Sequence, residues 1–418
     1  DGSLNGAALL RSLNHTMSKY KAPNMLPSYA AISEAKLQSR QSNLMLNDQV
    51  DQGEDELYYG DGTVGSSEPQ KFTIDFDTGS ADFFIPGPNC GTDQGCSGNG
   101  NRYNQMGMDQ GNTTTIMYGS GEVMGENYFD TVSVAGLTAD HTNVISLTQA
   151  QGFSTSDSNS LMGMGFSTIA NSMQPTFFEN LISQNKVKTD EFSFYLGRAA
   201  SGTQGNSEMA LGGRDTSKFS GTPVQVAVST PGYWQVPIDA VDVKGKSAGA
   251  STKGQAAIDT GTTILLGPSV AVSNVFSKIP GAFPLPLSSG NAQMTLYAYP
   301  CGSNPMVSLV FAGKQFAINP LDFNLGSLTS DFVTTISSAS TGDPLGGLMS
   351  PDGGLLGGLL GGSGSSSTSY CVAALAGFDI SPTENLYVVG DTFLKNWYSI
   401  YNYNNANGGP SVSFAKAV

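Results

Sequence analysis

Hydrophobic positions along this chain fall in short runs broken by turn residues, and few of them trace a helical stripe. From about Leu57 onward, segments such as FTIDF, TTTIMYGSGEVMG, YFDTVSV, EFSFYL and YWQVPIDAVDV concentrate β-branched and aromatic residues. Gly, Asn and Asp punctuate them, the pattern of strands joined by tight turns. PTFFENLISQ and PSVAVSNVFSKI read as helical interruptions. Near the start, AALLRSLNHTMSKY carries Leu9, Leu10, Leu13 and Met17 close to helical spacing, which predicts a short amphipathic helix. The polar run SEAKLQSRQSN after it reads as a linker. Residues 326–369 are a Gly/Leu/Ser low-complexity segment with no periodic face. They read as a surface loop, with a hydrophobic contact loop as the rival because leucines are poorly placed in water.

Composition narrows the class. The chain has 418 residues, with 19 Lys+Arg against 34 Asp+Glu and a net charge of −15. An acidic balance of this size argues against nucleic acid and anionic membrane surfaces, since phosphate binding needs clustered cations. With 21 Phe and 16 Tyr it can build a core, so disorder is a poor fit. No apolar run approaches the ~18 residues of a membrane span. Charge is uneven: residues 1–47 carry +3 and the rest −18. Either the early segment is a solvated extension, or it is a detachable basic piece lying on an acidic body.

Cys90, Cys96, Cys301 and Cys371 lack zinc-like spacing, and the only histidines are His15 and His141, so no metal or cofactor is expected. An even set of four suggests disulfides and an oxidising compartment. Asn14-His-Thr and Asn112-Thr-Thr are glycosylation sequons. The sequence opens at Asp1 without an apolar stretch, so any secretory signal is expected to have been removed already.

The chain also repeats itself. FTIDFDTGSADFFIPG and QAAIDTGTTILLGP share an apolar run, Asp-Thr-Gly-Ser/Thr and a second apolar run, with Asp77 and Asp259 182 residues apart. Each has a later echo, SLMGMGF ending its apolar run at Gly163 and YVVGDTF at Gly390. The second spacing exceeds the first by 45 residues, close to the 44 of the low-complexity segment. Two similar lobes, the second carrying an insertion, account for this. One Asp-Thr-Gly is a common turn. Two in matching places predict carboxylates brought face to face, sharing one proton. One could then activate a water as general base while the other serves as general acid toward a carbonyl.

On these motifs the chain from about Glu56 to Val418 resembles the pepsin-like aspartic endopeptidases, especially the secreted fungal members in proenzyme form. Tyr118-Gly119-Ser120-Gly121 matches the family's flap hairpin. The resemblance implies a mainly β, bilobal fold with pseudo-twofold lobes and a central cleft. It implies lobes at 55–230 and 231–418, the second holding insert 326–369, preceded by a prosegment and linker at 1–54. Asp77 and Asp259 would be the dyad, Ser80 and Thr262 would bond their outer oxygens, and Thr78 and Thr260 would brace the loops within the Asp-Thr-Gly turns of Gly79 and Gly261. Tyr118, Gly119 and Ser120 would close over substrate, Trp234 falls in YWQV, and SVSFAKAV would be the final strand. Pairing Cys90–Cys96 and Cys301–Cys371 is likewise implied. Lys19-Tyr20 matches the prosegment pair that enters the cleft. The expected protein is a secreted or vacuolar monomeric zymogen cutting peptides at hydrophobic residues, sensitive to pepstatin-like inhibitors, and cleaved between Ala22 and Glu54.

Two departures qualify this. Phe84 stands where the family usually has a Trp bonded to the flap Tyr, so a more mobile flap is expected. Ser120 stands where some fungal members carry an Asp that accepts Lys, so Phe, Leu or Met should flank the cut bond. Gly245-Lys-Ser247-Ala-Gly249 formally matches a serine-hydrolase elbow but lacks strand-to-helix context and reads as a polar turn. His15 and His141 read as surface residues. The rival class is a catalytically inactive aspartic-protease fold used as a binding or inhibitor protein; such relatives usually lose an Asp or the flap Tyr, whereas this chain keeps Asp77, Asp259 and Tyr118.

Overall fold

A computed structural model describes residues 4–20, 40–51, 54–98, 100–118, 121–150, 158, 160–289, 292–339, 369–406 and 408–418. Strands dominate, in four sheets. An eight-stranded sheet forms the first lobe. A nine-stranded and a four-stranded sheet form the second. A six-stranded sheet joins them, taking Glu191–Tyr195 and Glu208–Leu211 from the first half and Trp397–Asn402 and Ser411–Ala417 from the second. Among the described residues no helix is long and apolar enough to cross a membrane.

The repeat seen in the sequence is a repeat in space. In the first lobe Gln70–Asp77 pairs in parallel with Ser160–Gly163, which pairs antiparallel with Phe83–Pro86. In the second, Gly254–Ile258 pairs in parallel with Leu386–Val389, which pairs antiparallel with Leu265–Gly267. Each lobe thus threads its Asp-Thr-Gly turn across a third strand. A side chain at either crossing would collide with main chain: a Cβ on Gly163 would fall on the Ala81 backbone, and one on Gly390 on the Thr262 carbonyl. That is why both echoes end in Gly.

Trp234 fastens the lobes. It is fully buried, donates its indole N–H to the Met164 carbonyl at 2.9 Å, and packs among Phe166, Phe192, Tyr401 and Tyr403. The helices expected from periodicity form at Gly6–Lys19, Phe177–Ser183 and Ser269–Phe276. Thr176 and Glu179 close a reciprocal cap at the start of the second, satisfying two otherwise orphaned N–H groups.

Three expectations need correction. Residues 33–39 of the run read as a linker lie outside the described residues, and its end is not linker: Ser42–Met45 is the edge strand of the six-stranded sheet, and Asn47–Asp51 opens the eight-stranded one. Strand structure therefore begins well before Leu57, because alternation in short polar runs such as SNLM is too brief to read from sequence. The low-complexity insert is not a plain loop throughout: its start forms the end of strand Asn324–Ser327 and helix Ser330–Ala339, whose Phe332, Val333 and Ile336 are buried. Residues 340–368 lie outside the described residues. Nor is His15 a plain surface residue; it is half-buried on the inner side of the first helix.

The disulfides are Cys90–Cys96 and Cys301–Cys371, with Cα–Cα distances of 5.7 and 5.0 Å. The second ties the strand Ala292–Pro300 to the strand that follows the insert, across a separation of 70 residues.

Candidate active site

Asp77 ends the strand Gln70–Asp77 and Asp259 follows the strand Gly254–Ile258, so the crossings described above aim both carboxylates at the junction of the lobes. Both are fully buried. They are so close that a Cβ on Gly79 would lie 2.5 Å from the Asp259 carboxylate, and one on Gly261 would meet Asp77. Only glycine fits between them.

The surroundings are symmetric. Gly79 N–H donates to Asp77 Oδ1 at 2.8 Å and Gly261 N–H to Asp259 Oδ1 at 2.9 Å. Ser80 and Thr262 hydroxyls donate to the two Oδ2 atoms, each at 2.6 Å. Behind them Thr78 and Thr260 exchange backbone-to-hydroxyl bonds at 3.1 and 3.0 Å. Each hydroxyl also donates across to the other lobe, Thr78 to the Ile258 carbonyl and Thr260 to the Phe76 carbonyl. These buried bonds fix the carboxylates relative to each other, because a slip of either turn would leave several polar groups unpaired.

Two buried carboxyls in contact cannot both ionise cheaply. Asp259 stands above its ordinary value because burial pushes it up and the Asp77 charge adds to that, more than Lys19 offsets. Burial also pushes Asp77 up, but the Lys19 ammonium and hydrogen bonds from Asp259, Lys19 and Ser80 outweigh it and hold it low. The two carboxyls are thus pushed apart, Asp77 downward and Asp259 upward, as expected of a pair that titrates together.

Lys19 ends the first helix with its Nζ 2.8 Å from Asp77 Oδ1 and 3.1 Å from Asp259 Oδ1. Burial opposes its charge, yet the two carboxylates outweigh burial and keep it cationic. Tyr20 donates its hydroxyl to Asp259 Oδ2 at 3.0 Å and packs on Tyr233, which donates to the Lys19 carbonyl. Further up the helix, Thr16 pairs with the Thr262 hydroxyl and Ser12 with that of Thr263. Beside Lys19 a cavity of about 280 Å³ remains, with Phe84, Ile116, Leu161, Ile169 and Tyr233 on its wall.

Three groups here escaped sequence reasoning. Asp75 and Asp391 are buried carboxyls pushed well above their ordinary range, first by burial and then, for Asp75, by the neighbouring Asp77. The signal for Asp75 lay in the triplet Asp75-Phe76-Asp77, since alternate strand residues share a face. His15 shares a cavity with Asp75, Glu56 and Arg11, and burial followed by the Lys19 charge pushes it down to about 3.

The sequence profile described as eukaryotic aspartyl protease matches residues 57–343 and 359–417, spanning both carboxylates. The chain belongs to this family. Aspartic endopeptidases of the pepsin type include the relatives it resembles over most of its length. An aspartic protease of Phaffia rhodozyma is 30% identical over 92% of this chain and 84% of its own. A cathepsin E of Aquarana catesbeiana is 30% identical over 86% and 79%, and the major aspartyl peptidase 1 of Cryptococcus neoformans var. grubii 30% identical over 88% and 70%. Like them, this chain is an aspartic endopeptidase, a family that acts on peptide substrates.

The remaining expected site residues are distributed as follows. Tyr118 ends the strand Met108–Tyr118, but its side chain and Gly119 and Ser120 lie outside the described residues, as does the expected flap contact. Phe84 is buried beside Ile116 and Leu161. Asn112 is exposed on its strand and Asn14 is half-buried on the first helix. His141 is exposed on the strand Leu137–Ala150 with a positive φ, and Lys246–Ser247 is an exposed two-residue strand followed only by the single 3-10 turn Ala250–Thr252, so neither the histidine nor the GxSxG decoy joins this site.

Proposed function

We propose that Asp77 and Asp259 are the catalytic pair and that this chain is a latent precursor whose residues 1–20 block its own cleft. The observation that carries the proposal is the Lys19 ammonium within 3.1 Å of both carboxylates. It holds the position from which a nucleophilic water bonded to both would act. With the segment gone the pair shares one proton, and the ionised carboxylate, which we assign to Asp77, takes a proton from that water as it attacks the peptide carbon. Asp259, the protonated partner, donates to the carbonyl oxygen. The tetrahedral intermediate then collapses: Asp77 passes the proton it took to the amide nitrogen, a hydroxyl of the gem-diol returns one to Asp259, and the C–N bond breaks.

Several features support the finer reading. The apolar wall of Phe84, Ile116, Leu161 and Ile169 favours Phe, Leu or Met beside the cut bond. Ser42–Met45 already sits in the six-stranded sheet, so a maturation cut within residues 22–39 frees the segment without unzipping a strand. The similarity to the Phaffia protein covers more of this chain than residues 57–418 alone could supply, so it extends upstream of residue 57. Two disulfides and the exposed sequon at Asn112 favour secretion, with the vacuole as alternative.

The experiment is acid incubation with N-terminal sequencing and an assay on denatured haemoglobin at low pH. Activity should appear with a new N-terminus after Tyr20, be blocked by pepstatin, and be absent in Asp77→Asn and Asp259→Asn. Full activity with an unchanged start at Asp1 overturns the latent-precursor reading, and efficient cleavage after Lys in a peptide library overturns the specificity.

A further inference from the structure

The first helix does more than deliver Lys19. Its apolar positions Leu9, Leu13 and Met17 are buried in one cluster with Leu285, Leu296 and Leu328 of the second lobe and Phe332 and Ile336 of the insert helix Ser330–Ala339. Gly6 lets the two helices meet: a Cβ there would come 3.1 Å from the Phe332 ring and 3.3 Å from the Thr335 methyl. The groove between the insert helix and the lobe is therefore shaped for one face of an amphipathic helix. It is also continuous with the catalytic centre, since Met17 lies in it and Lys19, two residues on, touches both carboxylates.

The seated helix also defines the chemistry that fits. Gly6–Lys19 has Arg11 and Lys19 and no acidic residue. It faces a body whose charge beyond residue 47 sums to −18, with Asp331 exposed at the rim and Glu56 lining the cavity under the helix. Departure of the segment would bare a contiguous apolar surface, which a soluble protein rarely leaves uncovered unless something binds there.

We propose that, once the segment has left, this groove is a second recognition site that takes a cationic amphipathic helix of a polypeptide substrate and feeds the adjoining chain to Asp77 and Asp259. The inference rests on the release proposed above. Binding in the groove is remote from the reacting bond and is made equally in ground and transition states. It lowers KM and leaves kcat unchanged.

The test uses the acid-matured protein and two substrates. One is a short peptide that fills only the cleft. The other is the same peptide joined to the sequence of residues 4–17, attached at either end in separate versions. The expected result is a KM about tenfold lower for at least one joined version, a gain of the size one modest apolar contact surface gives. Leu9→Asp with Leu13→Asp in the joined sequence should remove the gain. So should Thr335→Arg in the enzyme, which fills the groove from a half-buried position without placing a charge in the core; activity on the short peptide reports that this variant is folded. The free 4–17 peptide, which lacks Lys19 and Tyr20, should compete with the joined substrate alone. Equal KM values for short and joined substrates overturn the proposal. A gain that emerges only after deletion of residues 341–368 also overturns it, by making the insert's own leucines the occupant. Persistence of Asp1 in the active enzyme instead sinks the release reading, so the two failures are distinguishable.

Discussion

Single residues set how the site responds to pH. In the seated segment His15 does not take a proton until about 3, whereas free histidine does so near 6.5. As pH falls below 6.5 the released segment binds a proton that the seated one refuses, so acid favours release; above 6.5 the effect vanishes. The groups facing His15 are Lys19 and Asp259, with Arg11, Glu56 and Asp75 around the same cavity. His15→Gln should therefore stay latent to lower pH, read as a downward shift in the midpoint of activity onset after a pH jump. Asp77 acts in the same direction at lower pH: held low while Lys19 is present, it contributes to docking above its released value and loses that contribution as pH falls through the seated one. Thr78 and Thr260 act on stability. Thr78→Val leaves the Thr260 N–H and the Ile258 carbonyl without their partner, at a cost of about 2 kcal/mol in thermal unfolding.

At the level of elements, the crossing strands do the positioning. Gly163→Ala and Gly390→Ala each push a methyl into main chain of the neighbouring turn. Each should cost about 3 kcal/mol, with loss of activity exceeding loss of stability because the turn that moves carries a carboxylate. Chemical denaturation beside a kcat measurement separates the two. These crossings were half legible in sequence: the paired apolar-apolar-Gly echoes marked where they fall, and the Asp-Thr-Gly repeats marked what they cross. The insert helix was not legible. SDFVTTISSA has β-branched residues that favour strands in isolation, and it is helical because Phe332, Val333 and Ile336 find a buried face against the second lobe. Ser42–Met45 escaped notice for a related reason, since its pairing partner Glu208–Leu211 lies more than 160 residues away.

Across the whole molecule, the lobes share one sheet, and Trp234 plugs the seam behind the carboxylates. The insert hangs from the second lobe inside the loop closed by Cys301–Cys371. Cleavage anywhere in residues 340–368 should yield two chains that run as one band on non-reducing gels and separate on reduction, with activity on a short peptide retained. A single band under both conditions after such treatment shows the insert to be resistant.

The linear order of residues determined the chemistry. Two Asp-Thr-Gly turns in a duplicated, strand-rich chain, a basic start on an acidic body and four cysteines are local facts, and local facts survive in sequence. Tertiary structure alone decided the rest. The split ionisation of Asp77 and Asp259, the depressed His15, the burial of Asp75 and the groove under the first helix arise from groups far apart in the chain meeting where water is excluded. In that setting burial and neighbouring charge, not residue type, set the energy of each proton and each apolar face.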